Sequence, residues 1–260
     1  MITDTFVNGF IASLIAGMIT GVGGLCIFLK KRYLKSDINQ LLNLAAGVML
    51  AASFFSLLVP SMQDIVGNGK SLYTDAFEYT VAVFMGVLLV WVLNLMLPHE
   101  HNAMGRHGPN SSVGIKKAWL FIIAITLHKL PEGLAVGVAY GAESLVNPLS
   151  LVIGIAAHNI PEGLTIAISL LGAGYSKLKA VMVAFIIGFM QPIGAIIGLL
   201  LMDISFNIIP YGMALAGGTL LFVVINEILP ETYGQKETNK SAAAVFLGFI
   251  LMTYVTMIFH

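Results

Sequence analysis

The chain has 260 residues, 58 % of them hydrophobic and 10 % charged, with a formal net charge of zero. Soluble domains carry about 25 % charged residues, so the composition excludes a water-solvated domain and indicates an integral membrane protein; the zero balance gives no footing for nucleic acid. The single cysteine, Cys26, lies in an apolar run, which excludes a disulfide framework and a cysteine-based metal site.

A helix needs about 20 apolar residues to cross the hydrocarbon. Eight stretches meet this, near 5–29, 41–62, 79–97, 117–141, 149–171, 179–202, 208–230 and 241–259. They predict an all-α polytopic protein, a single transmembrane domain over 1–260 with eight transmembrane helices. The opening Met1-Ile2-Thr3-Asp4 has no basic region, so it reads as the start of the first span and not as a cleaved signal. The pairs Gly17/Gly21 and Gly194/Gly198 offer small faces for close helix approach, a weak signal in a chain with 27 glycines.

Charge placement sets orientation. Eleven of the 13 basic residues fall on alternate loops: Lys30, Lys31, Arg32 and Lys35; Arg106, Lys116 and Lys117; Lys177 and Lys179; Lys236 and Lys240. The opposite side carries Lys70, and Lys129 lies inside a span. The basic side is therefore cytoplasmic and both termini face outward. Inner-membrane placement in a bacterium follows as an expectation.

The chemistry concentrates between His128 and Gly163. One pattern occurs twice: His128-Lys129-Leu130-Pro131-Glu132-Gly133 and His158-Asn159-Ile160-Pro161-Glu162-Gly163. On a helix, i and i+4 lie about 40° apart, one turn apart on one face. His128 thus shares a face with Glu132, and His158 with Glu162. Imidazole and carboxylate one turn apart form half a divalent-metal site, and two such helices supply four ligands. Pro131 and Pro161 cannot donate to the carbonyls of Leu127 and Ala157, which predicts a kink and a freed carbonyl beside each pair. A single histidine in an apolar helix usually reads as a satisfied core residue. A repeated set of ionisable residues inside two spans reads as function.

Further polar residues interrupt other spans. Gln191 and Pro192 break span 6, and Glu227 follows Asn226 in span 7. Buried polar groups need partners, so these residues are expected to converge on one polar site. The bland alternative is ordinary interhelical hydrogen bonding. On the cytoplasmic side His99, Glu100, His101 and His107 form a loop that reads either as weak metal capture or as plain solvated surface. There is no His-Glu-x-x-His zinc-protease motif and no Walker motif. A non-transporting metal sensor and an intramembrane metallohydrolase of another kind remain the rival readings.

With these residues in hand, the chain resembles the ZIP family of divalent metal transporters, in particular its bacterial zinc-uptake and GufA-like branch. The paired motifs are the specific part. Ala45-Ala46-Gly47-Val48-Met49-Leu50 through Pro60, Met96-Leu97-Pro98-His99 and Glu227-Ile228-Leu229-Pro230 are similar to that family's spans 2, 3 and 7. The resemblance covers roughly residues 41–230 and implies an importer, not an enzyme, with no catalytic cofactor. It implies Zn²⁺ as cargo, with Fe²⁺, Mn²⁺, Co²⁺ and Cd²⁺ as further cargo. It also implies a homodimer, and spans 1, 4, 5 and 6 sliding against spans 2, 3, 7 and 8. Carried over motif by motif, the primary site is His128, Glu132, His158 and Glu162. Met49 and Gln191 correspond to nearby positions, and Asn159 and Glu227 complete the candidate metal set.

One departure stands out. The family's first motif usually has Asn after His, where this chain has Lys129. Asn offers an oxygen; an ammonium offers only donors and a positive charge. Two unit charges at about 4 Å repel by about 4 kcal/mol at an effective dielectric of about 20. The expectation is a single-metal site, with the Lys129 ammonium in place of a second cation and paired with Glu132 or Glu162. The competing expectation is that Lys129 turns away toward water.

Overall fold

The structure is a computed structural model that describes residues 2–30, 34–66, 71–96, 112–142, 145–230 and 238–259. Among the described residues it contains helices and connecting turns and no strand. This follows from the medium: apolar runs with nothing outside to hydrogen-bond must satisfy every backbone group within the segment.

In chain order the helices are α1 (Ile2–Leu25), α2 (Lys35–Ser53), α3 (Val59–Val66), α4 (Leu72–Met96) and α5 (Ser112–Gly141). Then come α6 (Pro148–Gly172), α7 (Lys177–Gly188), α8 (Met190–Asp203), α9 (Ile209–Val223) and α10 (Thr238–Ile258). Among the described residues seven segments are long and apolar enough to cross a membrane: Asp4–Phe28, Ser36–Val66, Leu72–Leu95, Pro148–Gly172, Lys177–Asp203, Ile209–Asn226 and Asn239–Ile258. The remaining long helix, α5, has 30 residues and contains Lys129 and Glu132. At 1.5 Å per residue it is about 45 Å long.

Several helices overrun the apolar stretches that announce them. α2 starts at Lys35, with Asp37 in its first turn, and α4 starts at Leu72, with Asp75 in its first turn. An acid there complements the positive end of the helix dipole, so the helix extends into its polar flank.

Prolines shape the interior of the spans in three ways. α5 and α6 run on through Pro131 and Pro161. The sixth span does break, between α7 and α8 at Phe189, where Pro192 cannot bond the Gly188 carbonyl four residues back. In the second and seventh spans the backbone opens into a π turn, Phe54–Leu58 and Val224–Ile228. Each π turn ends two residues before a proline, Pro60 or Pro230. The carbonyl each proline would strike, that of Ser56 or Asn226, lies inside the widened turn.

The helices sort into two groups. α5 packs on α8, and α1 packs on α6 and α7; α2 packs on α10, and α4 on α9. Between the groups run the α2–α6 and α5–α9 contacts. Across this boundary Ser56 Oγ lies 3.1 Å from Ser150 Oγ. Apolar attraction between helices is weak in lipid, so close packing must hold them. The outer faces carry the residues lipid accepts: Phe77, Phe84 and Trp91 on α4, Phe246, Ile250 and Tyr254 on α10. At one end of the bundle Trp119 Nε1 donates to the Tyr175 hydroxyl at 2.9 Å, and Lys177 lies 5.3 Å from the centre of the Phe28 ring.

Candidate metal site

The two motif helices are fixed by glycine. A Cβ on Gly133 would overlap the Gln191 carbonyl oxygen, and one on Gly163 the Thr20 carbonyl oxygen. The neighbours answer in kind: Gly194 lies against the Leu130 carbonyl and Gly23 against that of Ile160. Backbone thus touches backbone where α5 crosses α8 and where α6 crosses α1. The glycine after each glutamate is the contact point, so Glu132 and Glu162 are set by main chain rather than by flexible side chains. Of the weak pairs noted above, Gly194 and Gly198 belong to the α5–α8 crossing, Gly198 against the Leu134 carbonyl, whereas Gly17 meets the Gly188 carbonyl where α1 crosses α7.

Between α5 and α6 lies a closed polar cluster. Lys129, Glu132 and Asn159 are fully buried, and His158 and Glu162 nearly so. The Lys129 ammonium donates to Glu132 Oε2 at 2.7 Å and to Asn159 Oδ1 at 2.5 Å, and forms an ion pair with Glu162 Oε2. It pairs with both glutamates and not with one. The expectation that it turns toward water fails, because its side chain is 0 % exposed. Asn159 continues the chain of contacts: its Nδ2 donates to the Ala16 carbonyl at 2.7 Å and to Gln191 Oε1 at 2.9 Å.

Donor atoms of Glu132, His158 and Glu162 lie within 4.8 Å of one another. His158 Nε2 is 3.6 Å from Glu132 Oε1. Glu132 Oε1 and His158 Nδ1 are buried without a hydrogen-bond partner. Unsatisfied buried acceptors are costly, and a cation between imidazole and carboxylate removes that cost. The donor set, nitrogen plus carboxylate oxygen, suits a divalent ion of the zinc type.

The other predicted residues divide. His128 is buried one turn before Glu132 but is not in the group of three. Asn159 has its oxygen on Lys129 and its nitrogen on Ala16 and Gln191, so its polar capacity is engaged. Gln191 belongs to the cluster through Asn159 and keeps a buried, unpartnered Nε2. Met49 is fully buried in the apolar core that joins α2, α5, α6 and α9. Glu227 falls in the π turn of the seventh span, and its side chain lies outside the described residues, as does the loop with His99, Glu100, His101 and His107. Reasoning from sequence missed the Ala16 carbonyl, which no side-chain pattern announces. It also passed over Gly133 and Gly163, although both stood in the repeated motif.

Comparison with known proteins agrees with this geometry. The family model described as ZIP Zinc transporter matches residues 98–256. The chain is 34 % identical to the zinc transporter GufA of Myxococcus xanthus over 249 residues, 96 % of this chain and 98 % of that protein. It is 37 % identical to the zinc transporter ZIPB of Bordetella bronchiseptica over 220 residues, 84 % of this chain and 70 % of that one. With the zinc transporter ZupT of Streptococcus mutans it shares 32 % identity, over 97 % of each chain.

Proposed function

The chain belongs to the ZIP zinc transporter family, and from that premise we propose that it carries divalent metal ions, zinc first, across the inner membrane toward the cytoplasm. The observation that carries this reading is the buried Glu132, His158 and Glu162 cluster between two spans. A sealed set of ligands at membrane depth, with no water-exposed face, is what a carrier needs and what a surface chelator does not.

In this reading α5 is also a span, the fourth in chain order, which makes eight, and both termini face outward. The positive-inside pattern supports that orientation, and the end of the bundle where Trp119, Tyr175, Lys177 and Phe28 gather has the composition of a membrane–water interface. One metal ion binds at a time. Glu132, His158 and Glu162 take it, and His128 completes the set once the carboxylates let go of Lys129. The zinc is tetrahedral with these four ligands. Asn159 and Gln191 brace Lys129 rather than ligate. Met49 and Glu227 belong to the opposite helix group, on the path the ion follows. Fe²⁺, Mn²⁺, Co²⁺ and Cd²⁺ satisfy the same donors.

Transport proceeds by alternating access. The group α1, α5, α6, α7 and α8 holds the site, and α2, α3, α4, α9 and α10 form the body against which it moves. The unit is a homodimer, for which α4, whose span is only 11 % buried, offers an apolar face.

The test is uptake of radioactive zinc into vesicles holding the purified protein. Wild type is expected to accumulate zinc, and Glu162→Ala to lose uptake. Zinc binding without flux of any divalent ion would overturn the carrier reading and favour a membrane metal sensor.

A further inference from the structure

We propose that Lys129 is a tethered counter-ion that lets the metal-free carrier return across the membrane, so that the protein performs net transport rather than zinc-for-zinc exchange alone. This rests on the carrier reading above and deepens it.

The argument starts from net charge. Two buried carboxylates, Glu132 and Glu162, face the cluster, and Lys129 contacts both. With both carboxylates ionised, the ammonium charged and the imidazoles neutral, the metal-free cluster sums to −1, and with one divalent ion it sums to +1. Without the ammonium the same states are −2 and 0. The cost of holding charge in a low-dielectric medium rises as the square of the charge. An all-acid site therefore makes the loaded passage easy and the empty return hard. With Lys129 the two passages carry charges of equal size, and neither is the double charge.

The geometry fits a counter-ion held inside the metal-free cluster. The ammonium is 0 % exposed, donates to Glu132 at 2.7 Å and to Asn159 at 2.5 Å, and touches Glu162. These three contacts use all three of its protons. Asn159 is itself anchored on the Ala16 carbonyl and on Gln191. Lys129, Ala16, Asn159 and Gln191 all lie in the group α1, α5, α6, α7 and α8. The counter-ion therefore travels with the site and is not left behind in the body of the protein. A cation held by the opposite group would neutralise the glutamates in one position only.

The test compares two modes in the same vesicles. Net uptake into zinc-free vesicles requires the empty return; exchange of external radioactive zinc for internal zinc does not. The ratio of net uptake to exchange is expected to fall about tenfold or more in Lys129→Met, which keeps length and removes charge, and to recover in Lys129→Arg. An unchanged ratio in Lys129→Met overturns the proposal. So does equal loss of both modes in a variant that still folds, because the ammonium would then serve the loaded step. If Lys129→Met does not fold, the same ratio in Lys129→Gln decides. Failure of wild type to run either mode would instead sink the carrier reading, a distinguishable result.

Discussion

Lys129 and Asn159 occupy the same position in the two copies of the motif, and the first donates to the second across the helix pair at 2.5 Å. The repeat is thus symmetric in its histidine and glutamate and asymmetric in its second residue. One copy supplies a charge and the other supplies the acceptor that holds it. On the reading proposed above, that difference puts an ammonium where a second cation would sit.

Lys129→Asn restores the symmetry. Removing the ammonium frees both carboxylates and adds an amide oxygen. The bound metal measured by elemental analysis of the purified protein is expected to rise from one ion per chain toward two. A stoichiometry that stays at one would show that the ammonium is not what limits the site.

The charge triad also bears on stability. Glu132→Gln leaves a buried ammonium with one anionic partner, and breaking a buried pair from one side costs about 3 kcal/mol. Thermal melting in detergent should show a clear loss for Glu132→Gln. The double variant Glu132→Gln, Lys129→Met should recover much of it, because neither charge is then stranded. A double-mutant cycle with a coupling below about 0.5 kcal/mol would mean that the two residues act independently.

The glycines after each glutamate admit a sharper contrast. Gly133→Ala and Gly163→Ala drive a methyl into a backbone carbonyl, Gln191 or Thr20, which cannot swing aside. Overpacking of this kind costs about 1–3 kcal/mol, and it also displaces the neighbouring carboxylate. Both variants are expected to melt earlier and to bind zinc more weakly. Gly172→Ala, where nothing lies within 4 Å of the added atom, is expected to leave both unchanged.

Movement between the two helix groups is open to cross-linking. Ser56 on the second span and Ser150 on α6 stand 3.1 Å apart across the boundary. With Cys26 replaced by Ala, the pair Ser56→Cys and Ser150→Cys should oxidise to a disulfide. Oxidised protein is expected to stop transporting zinc and to resume on reduction. Full uptake by the cross-linked protein would rule out sliding at this contact.

Zinc itself should stabilise the fold. A ligand that binds only the native state at 100 times its dissociation constant adds about 2.7 kcal/mol. Melting temperature should rise with added zinc and fall with a chelator. In Glu162→Ala that response should be largely lost, since one of the three clustered donors is gone.

The sequence by itself determined the class of protein and where its chemistry lies. Apolar runs long enough for lipid leave the backbone no choice but helix. The spacing of His158 and Glu162 puts them on one face wherever that helix ends up. Pro192 foretold the break in the sixth span, because a missing N–H is a local fact. Other features were invisible, because they depend on which helices meet. The π turns before Pro60 and Pro230 were not foreseen, since a proline can kink, break or widen a helix, and neighbours select among these. Nothing local said that Lys129 would take both glutamates, that Asn159 would reach the Ala16 carbonyl 143 positions away in sequence, or that Gly163 would lie against Thr20. Helical periodicity assigns a residue to a face; only packing decides what that face meets. A buried charge adds its own demand, since Lys129 must find every available anion within reach.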